Sequence, residues 1–121
     1  CAFSTAKVVL IMGHTNCGAV KGACDYVDSG YLGPSLSKIY SSIHKVPVTF
    51  GKRSSENLTF VNEAARLHTI DVVKAVRYQS PVLHKMERNG KIKIAGAMYN
   101  VSNGSVTFLN TVNETTDNEL S

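Results

Sequence analysis

Lys7-Val8-Val9-Leu10-Ile11-Met12-Gly13-His14-Thr15-Asn16-Cys17-Gly18 is the stretch on which the reading of this chain turns. After Lys7 comes an uncharged, apolar run containing β-branched Val and Ile, the composition of a central parallel strand covered on both faces, and it predicts a strand over about 7 to 12. Gly13 marks its carboxyl end. In open α/β sheets ligands bind just beyond such ends, so His14 and Cys17 stand where chemistry is usually placed. Their spacing lets an imidazole nitrogen and a thiolate reach one ion, a donor pair suited to Zn²⁺. Alone, a His-x-x-Cys pair is more often incidental than metal-binding, because zinc takes at least three protein ligands. The context strengthens it: Gly18-Ala19-Val20-Lys21-Gly22-Ala23-Cys24 is small and apolar, as a helix packed closely on a sheet would be.

Outward from this unit the pattern is α/β. A helix is expected from about 17 to 28, closed by Asp28-Ser29-Gly30, and Gly33-Pro34-Ser35 opens a second one through about His44. Val46-Pro47 ends that helix, since the residue before proline disfavours the helical region. Ser54-Ser55 then reads as the cap of a long helix to about Tyr78, in which Leu58, Val61, Ala65, Val72 and Val76 recur at helical steps. Ser80-Pro81 carries the cap-then-proline signature of another helix, and Gly90 ends it. Lys91 to Tyr99 is the next strand, with Gly96 and Ala97 allowing close backbone approach near the site. Asn103-Gly104 signals a hairpin, so Ser105 to Leu109 should return antiparallel. From Asn110 the chain turns polar and reads as a tail.

Composition narrows the function classes. The 121 residues make one small domain, 43% hydrophobic, and no apolar run reaches the length of a bilayer crossing. The formal net charge of +4 comes from scattered Lys and Arg with no dense basic run or interleaved aromatics, which argues against nucleic acid. Three cysteines, an odd number without a disulfide-like framework, fit a reducing compartment, with cytoplasm the default. Asn-x-Ser/Thr sequons at Asn57, Asn100, Asn103 and Asn113 matter only in a secreted eukaryotic protein.

Gly13-His14-Thr15-Asn16-Cys17-Gly18-Ala19-Val20-Lys21-Gly22-Ala23 resembles the second zinc motif of the beta-class carbonic anhydrases, Gly-His-x-x-Cys-Gly. The likeness continues in order through Ser80-Pro81-Val82-Leu83, Asn89 to Val101 and Asn103 to Phe108, which are similar to that family's last helix, last parallel strand and terminal hairpin. It covers about residues 2 to 109. The family's earlier Cys-x-Asp-x-Arg motif, which supplies the third zinc ligand and an Asp-Arg pair beside the metal, does not occur in this chain; Cys1-Ala2-Phe3-Ser4-Thr5-Ala6 is similar to the end of the helix before the central strand.

The resemblance implies an α/β fold, a mostly parallel sheet flanked by helices with a C-terminal antiparallel hairpin strand. Residues 1–109 would be the C-terminal part of the domain and 110–121 a polar tail. His14 and Cys17 would be two ligands of a Zn²⁺ whose third, a cysteine, lies upstream, and no catalytic residue beyond the metal site is identifiable. Gly18 would leave backbone space at the metal, or would serve only to let the helix pack on the sheet; the sequence favours neither. Cys24 is excluded as a co-ligand because seven helical residues rise about 10 Å, against about 4 Å between two thiolates on one zinc. Cys1 is set a layer away, and His44, His68 and His84 read as solvated or capping residues.

The implied reaction is reversible hydration of carbon dioxide to bicarbonate by the parent chain, working as a homodimer or larger assembly. The 121-residue segment alone would be inactive. Two other readings stay open: a non-catalytic, zinc-deficient dimerisation or regulatory member of the fold, and an enzyme for carbonyl sulfide or carbon disulfide.

Overall fold

The computed structural model describes residues 4–25 and 32–110. Strand β1 is Val8–His14, helix α1 is Gly18–Cys24, and α2 is Leu32–His44, followed by a 3₁₀ turn at Val48–Phe50. Helices α3 (Leu58–Gln79) and α4 (Pro81–Arg88) lead to β2 (Lys93–Tyr99) and β3 (Val106–Leu109). The sheet order is β1-β2-β3: β1 and β2 are parallel, with Val8 opposite Lys93 and His14 opposite Tyr99, and β3 returns antiparallel. The expected α/β class and the antiparallel C-terminal hairpin strand are therefore what the chain adopts; among the described residues the sheet is mixed, with one parallel and one antiparallel pairing.

All four helices lie in the connection between β1 and β2. Val9 and Ile11 pack with Val73, Ile92 and Ile94, so the odd positions of β1 face the helical layer. The even positions face the other way, and Val8, Leu10 and Met12 remain 57%, 43% and 45% exposed. Tyr99, Val106 and Phe108 share that open face by register and are exposed as well. The expectation of a strand covered on both faces is not met among the described residues: β1 is an edge strand with one apolar face uncovered, and α3 packs on the other.

Helix α3 organises the core. Asn57 Oδ1 accepts from the Phe60 amide at 3.4 Å, while its Nδ2 donates to the Phe50 and Lys52 carbonyls. The helix therefore starts at Leu58, not after Ser54-Ser55; Ser55 instead donates through its amide to Asp25 Oδ1 at the end of α1. Its buried stripe is Phe60, Val61, Ala64, Ala65, Thr69, Val73 and Arg77, whereas Leu58, in the first turn, stays exposed. Arg53 donates to the carbonyls of Ile43, in the last turn of α2, and of Val46, just past it, and lies 4.8 Å over the Phe60 ring. Ser80 ends α3 and caps α4 through Leu83, with Pro81 at the first helical position as expected.

The hairpin differs from the two-residue turn read from Asn103-Gly104. The Asn100 amide donates to Ser105 and the Gly104 amide returns to Asn100 O, so the loop is longer and only Gly104, at φ +76°, takes the left-handed conformation. The strand at 91–99 starts at Lys93, and β3 starts at Val106. Helix α1 ends at Cys24 with Asp25 as its C-cap, short of the end expected at about 28; residues 26–28 and the tail from 111 lie outside the described residues.

Between α2 and α3, Ser42 is fully buried and donates its hydroxyl to Asp71 Oδ2 at 2.6 Å; Lys45 donates to Asp71 Oδ1 at 2.8 Å. His68 Nδ1 stands 3.4 Å from Ser42 Oγ, so His68 is half-buried between helices, not a solvated or capping residue. Burial holds the His68 pKa below the usual imidazole value, opposed by the charge of Asp71. Burial pushes Asp71 up, but hydrogen bonds from Lys45 and Ser42, helped by the charges of Lys45 and Lys74, hold it below the usual carboxylate value.

The unfolded chain therefore takes up a proton at this histidine before the native state does, and stability falls as the pH drops through about 6.5. Asp71 contributes a second loss only below about pH 4, where the unfolded carboxylate protonates first. The thermal midpoint should fall between about pH 8 and about pH 5, and His68→Gln should make that fall smaller. Equal falls in the two proteins would contradict this assignment.

Candidate metal centre

β1 runs to His14, two residues further than the apolar run suggested, because the backbone of Gly13 and His14 continues in register with Met98 and Tyr99. Gly13 faces α3, and a Cβ there would run into Thr69 Oγ1 and Met98 Sδ. Thr69 is itself fixed by donating to the Ala65 carbonyl at 2.9 Å. Glycine is thus what allows the strand end to lie against α3. That contact sets the position of the next residue, His14.

The turn after His14 is held at each residue. The Thr15 amide donates to Tyr99 O at 3.0 Å, and Thr15 Oγ1 accepts from the Val101 amide at 3.0 Å. Asn16 sits at φ +54°, the only non-glycine residue with positive φ among the described residues, and its amide donates to Asn62 Oδ1 at 3.0 Å. Cys17 is the N-cap residue of α1, its carbonyl accepting from the Lys21 amide at 2.9 Å.

Both candidate ligands thus occupy one reversal at the carboxyl end of β1. His14 Nδ1 is 2.9 Å from the Thr15 carbonyl, which can only accept, so Nδ1 carries the proton and the Nε2 lone pair is the donor the ring offers a metal. Cys17 is half-buried, has no disulfide partner, and its side chain makes no capping hydrogen bond. An imidazole nitrogen and a free thiol, carried on one turn, are by their chemistry donors that Zn²⁺ takes.

Gly18 opens α1, and a Cβ there would meet nothing within 4 Å. Close packing of helix on sheet therefore gives no reason for this glycine among the described residues.

The remaining candidates lie elsewhere. Cys24 is buried in the core cluster with Val20, Ala23 and Phe60, and burial, followed by the charge of Asp25, pushes its thiol up to about 11. Such a thiol stays protonated and unreactive. Cys1 lies outside the described residues. His44 is exposed at the end of α2, as expected, whereas the Nδ1 of His84 is buried without a hydrogen-bond partner and so is not solvated. Among the described residues no three His, Cys, Asp or Glu side chains gather as a metal site. No helix of the described residues is long and apolar enough to cross a membrane.

Sequence reasoning missed Asn62 and Thr69. Both are polar and stand on the face of α3 turned to β1 and its turn, at spacings that continue through Ala65 and Val73. A polar residue on an otherwise buried stripe was the available signal.

Comparison with known proteins gives one answer. The family model described as Carbonic anhydrase matches residues 1–106. A carbonic anhydrase of Emericella nidulans is 27% identical over 106 residues, 86% of this chain and 45% of that protein. One of Saccharomyces cerevisiae is 20% identical over 113 residues, 89% of this chain and 51% of that protein. The crystal structure of the beta-carbonic anhydrase CafA of Aspergillus fumigatus superposes with a TM-score of 0.76 at 26% identity, covering 94% of this chain and 53% of that one. A Coccomyxa beta-carbonic anhydrase in complex with acetazolamide shares the fold with a TM-score of 0.65 at 21% identity, covering 85% and 46%. The chain spans about half the length of the relatives it matches. A match over nearly all the described residues, together with a strand, turn and helix that bring the His and Cys of one motif to a single reversal, places this chain in the carbonic anhydrase family, in its beta class.

Proposed function

We propose that this chain carries two ligands of a zinc site, His14 and Cys17, in a protein that reversibly hydrates carbon dioxide to bicarbonate. In this reading residues 1–109 form the C-terminal part of the domain, and a third ligand, a cysteine, comes from outside residues 1–121. The turn at the end of a parallel strand that holds His14 and, three residues on, Cys17 carries the reading, within a chain of the carbonic anhydrase family.

His14 and Cys17 would hold a Zn²⁺ that, when bound, would supply the water activation that carbon dioxide hydration requires. His14 would offer Nε2 because Nδ1 is committed to the Thr15 carbonyl, and Cys17 would ligate as the thiolate. Gly18 leaves the backbone beside Cys17 without a side chain, so a small substrate can approach. The free thiols of Cys17 and Cys24 suit a reducing compartment, cytoplasm included.

The open sheet face of Val8, Leu10, Met12, Val106 and Phe108 supports association, whether with the rest of the parent domain or with a second copy. Residues 1–121 alone should therefore associate, hold zinc weakly and turn over slowly. Stopped-flow carbon dioxide hydration with a pH indicator, beside size-exclusion chromatography, tests both parts. The complete protein should be fast and chelator-sensitive and the isolated segment slow and associated. A complete zinc-loaded protein without turnover would sink the reaction; a monomeric, active segment would sink the account of the missing ligand.

A further inference from the structure

We infer that Asn62 is a positioning residue for the metal turn: its carboxamide oxygen, presented by α3, holds Asn16 in the left-handed conformation that aims His14 and Cys17 at one ion. This inference rests on the zinc-site reading above.

Asn16, between the two ligands, takes the left-handed conformation, which is costly for any side chain but glycine, about 1–2 kcal/mol. Asparagine tolerates it best, but the conformation persists only where surrounding contacts enforce it. The neighbours of Asn16 are held by main-chain neighbours: Thr15 by the end of β2, and Cys17 by the first turn of α1. The Asn16 amide has instead a partner 46 residues away, Asn62 Oδ1 at 3.0 Å.

Asn62 is well suited to this task. It lies in the second turn of a 22-residue helix whose own termini are capped, so its Cα is fixed by the helix rather than by the turn it holds. Further along the same helix, Thr69 meets the backbone of Gly13. Helix α3 thus grips the motif on both sides of His14, at Gly13 by packing and at Asn16 by a hydrogen bond. Without the carboxamide acceptor, the Asn16 amide is left to water and the turn can relax to right-handed backbone, which turns the imidazole and thiol apart. A ligand pair that must be reorganised binds metal more weakly.

The test uses the complete protein with Asn62→Leu, which keeps the shape and removes the acceptor, and Asn62→Asp, which keeps an acceptor oxygen. Co²⁺ is titrated in, following the thiolate-to-cobalt charge-transfer band, and amide hydrogen exchange is measured at Asn16. Asn62→Leu should weaken Co²⁺ binding by about 10- to 100-fold, the loss expected for a partner that orients a ligand. It should also speed Asn16 exchange, while Asn62→Asp should stay within about threefold of the parent in affinity because the acceptor survives. Parent-like affinity in Asn62→Leu, or equal losses in both variants, would overturn the inference. If the parent protein itself gives no thiolate band, the zinc reading fails, and Asn16 exchange then decides alone: protection in the parent and in Asn62→Asp supports the anchor, and its absence overturns it. Should Asn62→Leu not fold, that same exchange in the other two proteins decides.

Discussion

Cys17→Ser should strip zinc from the complete protein, weakening retention by more than about a hundredfold, since even the loss of a partner behind a ligand costs 10- to 100-fold. A serine hydroxyl is a far weaker zinc donor than a thiolate, and it does not ionise on binding as the thiol does. The backbone should survive the change, because Cys17 contributes its carbonyl, not its side chain, to the first turn of α1. Atomic absorption on the purified protein measures the outcome. Cys24→Ser is the control: its thiol lies in the core beside Val20 and Ala23, so the variant should lose stability while keeping its zinc. Full zinc occupancy in Cys17→Ser would remove Cys17 from the site.

Glu87→Ala should cost about 3 kcal/mol of stability, the scale for breaking a buried ion pair from one side. Arg77 is 7% exposed and donates through Nε and Nη2 to the two oxygens of Glu87, at 2.8 and 3.0 Å, and through Nη2 to the Ile94 carbonyl at 3.1 Å. The guanidinium thereby ties α3 to α4 and to β2. Removing the carboxylate takes from the buried guanidinium the acceptor of two of its charge-assisted hydrogen bonds. The paired change Arg77→Met with Glu87→Leu should recover much of the loss, because a well-packed apolar pair needs no desolvation. Urea unfolding of the three proteins measures this. A loss below about 1 kcal/mol in Glu87→Ala would place the pair among weak surface bridges.

Much of this architecture is visible in local chemistry. The apolar run before Gly13 gives β1, Ser80-Pro81 gives the start of α4, and the Gly90 turn gives its end, because each is decided by neighbours in sequence. The errors arise where partners are distant. Ser54-Ser55 has the composition of a cap, yet Asp25 of α1 engages Ser55, and Asn57 takes the cap by bridging back to Phe50 and Lys52. The open face of β1 was hidden for the same reason: composition records that Val8, Leu10 and Met12 are apolar, not what lies over them. At the site, His14 and Cys17 are legible because their spacing reflects a single turn. Asn62 is not, since its bond to Asn16 spans 46 residues and exists only once α3 is docked.

The zinc site is tested most directly by anomalous diffraction at the zinc edge from crystals of the complete, zinc-loaded protein. The anomalous peak should lie about 2.0–2.1 Å from His14 Nε2 and about 2.3 Å from Cys17 Sγ, with a further thiolate from outside residues 1–121 completing the protein ligands. A zinc peak that touches neither His14 nor Cys17 would contradict the account.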